Sequence, residues 1–386
     1  MKKFLLFILS MVALCFACKR SGSNNGNSNV EPDGPIVLVD STGWLWADSL
    51  RDDLSSAVAV AEMSEPMKLF FYGWGDDDDT TFQVQMPSGS FGKVILEYTM
   101  CGWNKGPSDW DMTTEIRIKD KSTGEWYELQ RAFTPYGGSF SASWNKKFYM
   151  DVTHLLPILT QSGPAEFKVF YCGWDATETK AHAFSMKFYF FDGANRYGAN
   201  ILSCQKVYDS FLSGNNGYRA WAYGIDTASI EAPNRLGERS IVLPEGTKRA
   251  LLRVCITGHG QEKSTVANYK GYFPGRKKKP INPAEFDENW YKIKINGEVM
   301  PIVGHVWELN SKGKNYKQAG TYQYDRAGWG PGKPGNAQYW IIRDIPESRE
   351  IKIDLDLDEY VSDRTKPNAE YVANYYVMAD IFALDK

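Results

Sequence analysis

Three short acidic clusters hold the residues with the most chemical reach. The first is Asp109-Trp110-Asp111, straight after the turn Gly106-Pro107-Ser108. The second is Glu285, Asp287 and Glu288 in PINPAEFDENW, and the third is Asp325 and Arg326 with Trp329 in YDRAGWGPGKPG. A core accepts the tryptophans and rejects the acids, whereas a solvated turn accepts the acids and has little use for an indole. The combination suits a site in which carboxylates move or orient protons while a flat ring packs against a ligand. Taken singly, each cluster also reads as a solvated loop. A fourth run, Asp76 to Asp79, lacks the spaced ligands of an EF-hand and reads as a turn.

Other chemistries find less support. There is no Gly-x-Ser-x-Gly elbow and no phosphate-binding loop. The four histidines, His154, His182, His259 and His305, are widely separated, so no metal site is expected. The net charge of −3 makes nucleic acid a poor partner. The basic run Arg276 to Lys279 lies between Pro274 and Pro280 and reads as a solvated loop.

The elements that must position these clusters are strands. Val94, Leu96, Tyr98 and Met100 alternate with largely polar neighbours, although Ile95 breaks the polar face. Phe184 to Phe190 and Ile351 to Leu357 alternate in the same way, and each stretch predicts a strand with one wet face. In YKIKINGEVMPIV, Asn296-Gly297 supplies the two positive-φ positions of a tight hairpin. The best helix candidate is SLRDDLSSAVAVAEM, residues 49–63. With 13 Trp, 22 Tyr and 20 Phe in 386 residues, the aromatic content favours sheet as well as ligand platforms. Many short strands joined by Gly-rich turns predict an all-β protein of two antiparallel β-sandwich or jelly-roll domains. A boundary is expected in FDGANRYGAN, giving domains 41–193 and 194–386.

The N-terminus reads as a processing signal. Lys2-Lys3 precede the apolar run Phe4 to Phe16, and Ala17-Cys18 follows. Residues 1–17 are expected to be a signal peptide, Cys18 a lipid attachment site, and residues 18–40 a flexible tether rich in Ser, Gly and Asn. The membrane would then be met through the lipid alone. Lys19-Arg20 differs from an acid-rich surface-export signal, which favours the periplasm over the cell surface. Cys101, Cys172, Cys204 and Cys255 remain after export, an even number in an oxidising compartment. Of the three pairings, the one that keeps each bridge within a domain joins Cys101 to Cys172 and Cys204 to Cys255.

From about residue 80 to the C-terminus, the chain resembles the peptide:N-glycosidase F family of bacterial glycoamidases. STGEWYELQRAFTPY (Ser122 to Tyr136), ITGHG (Ile256 to Gly260), PAEF (Pro283 to Phe286) and DRAGWGPG (Asp325 to Gly332) carry the resemblance, in the family's order. The resemblance implies two eight-stranded jelly rolls side by side and hydrolysis of the amide between asparagine and the first N-acetylglucosamine. It implies Asp111 and Glu285 as the catalytic carboxylates, and Trp110, Arg326 and Trp329 as substrate-binding residues in a cleft between domains. No cofactor is implied. The expected partners are N-glycosylated proteins or glycopeptides, and a monomer is expected. Three positions depart from the family pattern. Met112 stands where an arginine is usual, Cys172 falls near the position of a third glutamate, and Phe286 replaces a tryptophan. These departures raise an alternative, a glycan-binding lipoprotein of the same fold without catalysis.

Overall fold

The computed structural model describes residues 34–70, 78–104, 106, 112–135, 141–172, 180–209, 237–259, 290–303, 328–357 and 374–386. The first eleven strands among them are β1 (Ile36–Asp40), β2 (Leu45–Trp46), β3 (Ala59–Glu62), β4 (Met67–Phe70), β5 (Asp78–Val84), β6 (Lys93–Asn104), β7 (Thr113–Lys119), β8 (Trp126–Phe133), β9 (Asn145–Asp151), β10 (Ala165–Cys172) and β11 (Lys180–Phe191). The remaining nine are β12 (Ile201–Asp209), β13 (Arg239–Val242), β14 (Arg249–His259), β15 (Trp290–Ile295), β16 (Glu298–Val303), β17 (Lys333–Pro334), β18 (Ala337–Ile342), β19 (Glu350–Leu357) and β20 (Asn374–Leu384). The described helix is a single turn, Leu156–Leu159, besides short 3-10 segments.

The strands form four antiparallel sheets. The N-terminal half holds an outer sheet, β2-β9-β6-β11-β3, with β4 also on β11, and an inner sheet, β17-β8-β7-β10-β5. The C-terminal half holds an inner sheet, β1-β18-β14-β20-β12, and an outer sheet, β13-β19-β15-β16. The fold is thus all-β and sandwich-like, as expected. Alternation explains the layering. Val94, Leu96, Tyr98 and Met100 of β6 meet Ile116 and Ile118 of β7 in one core, and the opposite core joins Leu252 and Val254 of β14 to Ile293, Ile351 and Ile353. Asn296 and Gly297 take φ of 51° and 88° between β15 and β16, the hairpin that the sequence predicts.

Two elements cross between the halves. β1 lies within the stretch read as tether, yet it pairs with β18 of the C-terminal inner sheet. β17 pairs with β8 of the N-terminal inner sheet. The C-terminal inner sheet also gives one face to each core. Leu251, Cys255, Tyr339, Ile341, Met378 and Phe382 join the N-terminal core, while their neighbours Leu252, Val254, Trp340, Ile342, Ala379 and Ile381 join the C-terminal one. Pro35–Lys386 accordingly forms one compact unit.

Two expectations are corrected here. Residues 49–63 form short 3-10 turns and strand β3 rather than a helix. The run of Ala and Val that suggests helix instead fills an edge strand against β11, where β-branched residues suit the pleat. The expected bridges are also absent, because Cys101, Cys204 and Cys255 are free thiols. Cys204 lies opposite Phe382 and Cys255 opposite Met378, on the two flanks of β20. That separates them by two strand spacings, roughly 9–10 Å, and by four residues along the strand, well beyond the reach of a disulfide. Cys101 sits on β6 in the outer sheet, whereas Cys172 ends β10 in the inner one.

Candidate functional site

Asp111 lies outside the described residues, but its neighbour is held firmly. The Met112 N–H donates to Thr134 Oγ1 at 2.7 Å, and the Thr134 N–H donates back to the Met112 carbonyl at 3.0 Å. This pair of bonds clips the start of β7 to the end of β8, inside the motif STGEWYELQRAFTPY. The Met112 side chain is fully buried, which an arginine in its place would tolerate only with a paired charge.

The other motifs converge on the same strand end. The loop 328–335 runs along the tip of β8, where Gly332 N–H donates to the Phe133 carbonyl at 2.8 Å and Gly335 N–H to the Arg131 carbonyl at 2.8 Å. Gly332 takes φ of 76°, a conformation that favours glycine. From the far side comes the end of β14, carrying Thr257, Gly258 and His259. Trp329 joins the two segments, its Nε1–H donating to the Gly258 carbonyl at 2.6 Å. Its ring packs 4.5 Å from Phe133 and 5.3 Å from His259, between centroids.

The resemblance implies Trp329 as a substrate-binding residue in a cleft. Its relative exposure is 0%, because Phe133 and His259 pack against the indole and Gly258 takes its N–H. Half-buried His259 is a residue that the sequence reading passed over, and its position inside ITGHG beside the predicted tryptophan was the available signal. Trp110, Asp111, Glu285 and Arg326 lie outside the described residues, as do Asp109, Asp287, Glu288, Asp325 and the basic run Arg276 to Lys279.

Beneath this site, the inner sheets enclose a charged layer. Arg117 of β7 donates to both carboxylate oxygens of Asp209, at 3.0 and 2.9 Å, and contacts Glu115. Glu128 accepts from Arg131 at 2.6 Å and from Arg253 of β14 at 2.8 Å. Arg131 reaches across to Thr257 Oγ1 at 2.7 Å and to the Tyr376 carbonyl at 3.0 Å. Burial opposes the Glu128 charge, yet Arg131 and Arg253 hold its carboxyl below the usual range. For Glu115 burial is the largest influence and, against the pull of Arg117, pushes its carboxyl up to about 7. Burial likewise pushes Asp380 up to about 7. The three described thiols are raised by burial, Cys255 to about 12, so they are poor nucleophiles.

No family model matches the chain. It is 25% identical over 279 residues to peptide-N(4)-(N-acetyl-beta-D-glucosaminyl)asparagine amidase F of Elizabethkingia miricola, covering 72% of this chain and 70% of that protein. Among solved structures it is similar to PNGase F, a glycosylasparaginase from Flavobacterium meningosepticum. That match has a TM-score of 0.62 at 20% identity and covers 85% of this chain and 97% of the other. It is also similar to PNGF-II, with a TM-score of 0.58 at 15% identity over 84% of this chain and 65% of that one. The structural matches extend the sequence resemblance to the fold.

Proposed function

We propose, from the premise that this chain is a peptide:N-glycosidase F-like protein in sequence and fold, that it hydrolyses the amide between asparagine and the first N-acetylglucosamine of N-linked glycans. The observation that carries this reading is the convergence of three separate motifs on the tip of β8. The residue following Asp111, the tryptophan of DRAGWGPG and the histidine of ITGHG all pack or bond onto Phe133 and Thr134 or their immediate neighbours. In this reading Asp111 activates or orients water while Glu285 polarises the site and helps the amine leave. Water adds its hydroxyl to the side-chain carbonyl carbon and its proton to the departing nitrogen. The products are an aspartate in the peptide and a glycosylamine. Trp110 and Arg326 contact the substrate, an N-glycosylated protein or glycopeptide. The chain acts as a monomer, exported and lipidated at Cys18, in the periplasm.

The test is glycan release from a denatured N-glycoprotein, read by mass as a gain of about one dalton per converted asparagine, the difference between an amide and an acid. Asp111→Asn is expected to lower release about 100-fold or more, the scale of a lost acid–base group. Asp109→Asn shares the loop, the charge and the tryptophan, and it is expected to do much less. Equal losses would remove Asp111 from its role. Burial of Met112, where a cation is usual in the family, favours a second reading, a glycan-binding protein without catalysis. Binding of glycopeptide with no release by the wild type would select it.

A further inference from the structure

We propose that Trp44 is a positioning residue that buttresses the 328–336 loop, holding it against the tip of β8 through Asn336, and so sets where the loop meets substrate. The meeting with substrate rests on the amidase reading, whereas the buttress does not.

The chain brings Trp44 to the loop by a tight turn. β1 ends at Asp40, whose Oδ1 accepts from the Thr42 and Gly43 N–H groups, both at 3.0 Å. Gly43 takes φ of 73°, and a Cβ there would stand 3.0 Å from the Tyr339 ring, so conformation and space both favour glycine. Trp44 follows, buried, with its ring edge-on to Trp46 at 5.0 Å and to Phe148 at 5.7 Å, between centroids. These contacts with β2 and β9 fix the indole independently of the loop.

Two bonds then reach across. Trp44 Nε1–H donates to Asn336 Oδ1 at 3.1 Å, and the Ala337 N–H donates to the Thr42 carbonyl at 3.1 Å. An indole N–H can only donate, so it dictates which end of the Asn336 amide faces it. The Asn336 N–H in turn donates to the Gly328 carbonyl at 3.0 Å, which closes the base of the loop. Gly332 and Gly335 bond the same loop to Phe133 and Arg131 of β8. The loop is therefore gripped by β8 and by the segment 42–44. That segment lies outside the stretch that carries the sequence resemblance, which starts at about residue 80.

Amide hydrogen exchange at Gly332 and Gly335, followed by NMR, reads the buttress. Trp44→Phe keeps an aromatic ring and removes the donor, and both amides are expected to exchange about fivefold faster, the scale of one net hydrogen bond. Asn336→Leu removes the acceptor and is expected to do the same, with the double variant no faster than either alone. Asn336→Asp keeps an acceptor, and wild-type exchange is expected. In glycan release, Trp44→Phe is expected to raise KM about fivefold with kcat unchanged, because in the amidase reading the loop binds and does not react. Unchanged exchange in Trp44→Phe overturns the buttress, as do additive effects in the double variant. An active wild type whose Trp44→Phe variant keeps its KM, or loses kcat instead, overturns the positioning of substrate. Should Trp44→Phe not fold, Asn336→Leu against Asn336→Asp decides both the exchange and the KM. A wild type that releases no glycan while the exchange results hold sinks the amidase reading and leaves the buttress standing.

Discussion

Replacing Trp329 with alanine removes an indole packed on Phe133 and His259 and leaves the Gly258 carbonyl without its donor. The expected outcome is a loss of about 3–5 kcal/mol of stability, the range for a large buried aromatic. Denaturant titration measures it. A variant of unchanged stability with weakened substrate binding would instead make Trp329 a substrate contact. The thiols offer a second test at this scale. Cys101, Cys204 and Cys255 are expected to react with a maleimide when the protein is unfolded without reductant. Peptide mapping reads the result, and a protected Cys204 and Cys255 would bring back the bridge that strand spacing rules out.

At the scale of elements, β7 and β8 present charge to a buried layer, and its members respond differently to neutralisation. Glu128 is paired on both sides by Arg131 and Arg253. Glu128→Gln leaves two buried guanidinium groups undercompensated, and about 3–5 kcal/mol of stability is expected to be lost. Glu115 behaves otherwise, because its folded pKa lies above its ordinary value of 4.5, at about 7. The fold favours its protonated form, so the wild type loses stability as pH rises from about 4.5 through about 7. Gln at 115 cannot ionise. The stability of Glu115→Gln relative to the wild type is therefore expected to increase between about pH 5 and about pH 8, and Arg117 keeps its bidentate bond to Asp209 throughout. Urea midpoints at the two pH values supply the comparison, and a constant difference would place the titration elsewhere.

For the whole molecule, the shared inner sheet has a direct consequence. Because β14, β18 and β20 give alternate side chains to the two cores, neither half can unfold without stripping the other. Far-UV circular dichroism and tryptophan fluorescence are expected to report one coincident thermal transition. Two resolved transitions would mean that the charged layer is a weak seam. Residues 194–386 expressed alone would expose Leu251, Tyr339, Ile341, Met378 and Phe382, which are buried in the full chain. That fragment is expected to bind a hydrophobic dye that the intact protein does not.

Local pattern was enough to find most of the architecture. Two-residue alternation marked β6, β11 and β19, and Asn296-Gly297 marked the turn between β15 and β16, because pleat and positive φ are properties of neighbouring residues. The loop around Trp329 stood out as an acidic and aromatic cluster, whereas ITGHG around His259 was marked only by the family resemblance. What covers a wet face was not legible. Glu115 and Arg117 alternate as a solvated strand surface would, and Glu128 and Arg131 join them through the irregularity in the β7–β8 register, yet all four are buried, because the C-terminal inner sheet supplies Arg253, Thr257 and Asp209 opposite them. The same ignorance of neighbours produced the expected helix at 49–63 and the Cys204–Cys255 bridge. Periodicity along the chain dictates which side chains share a face. Only the packing of distant strands decides whether that face meets water, another sheet or a partner residue, since burial depends on contacts far apart in sequence.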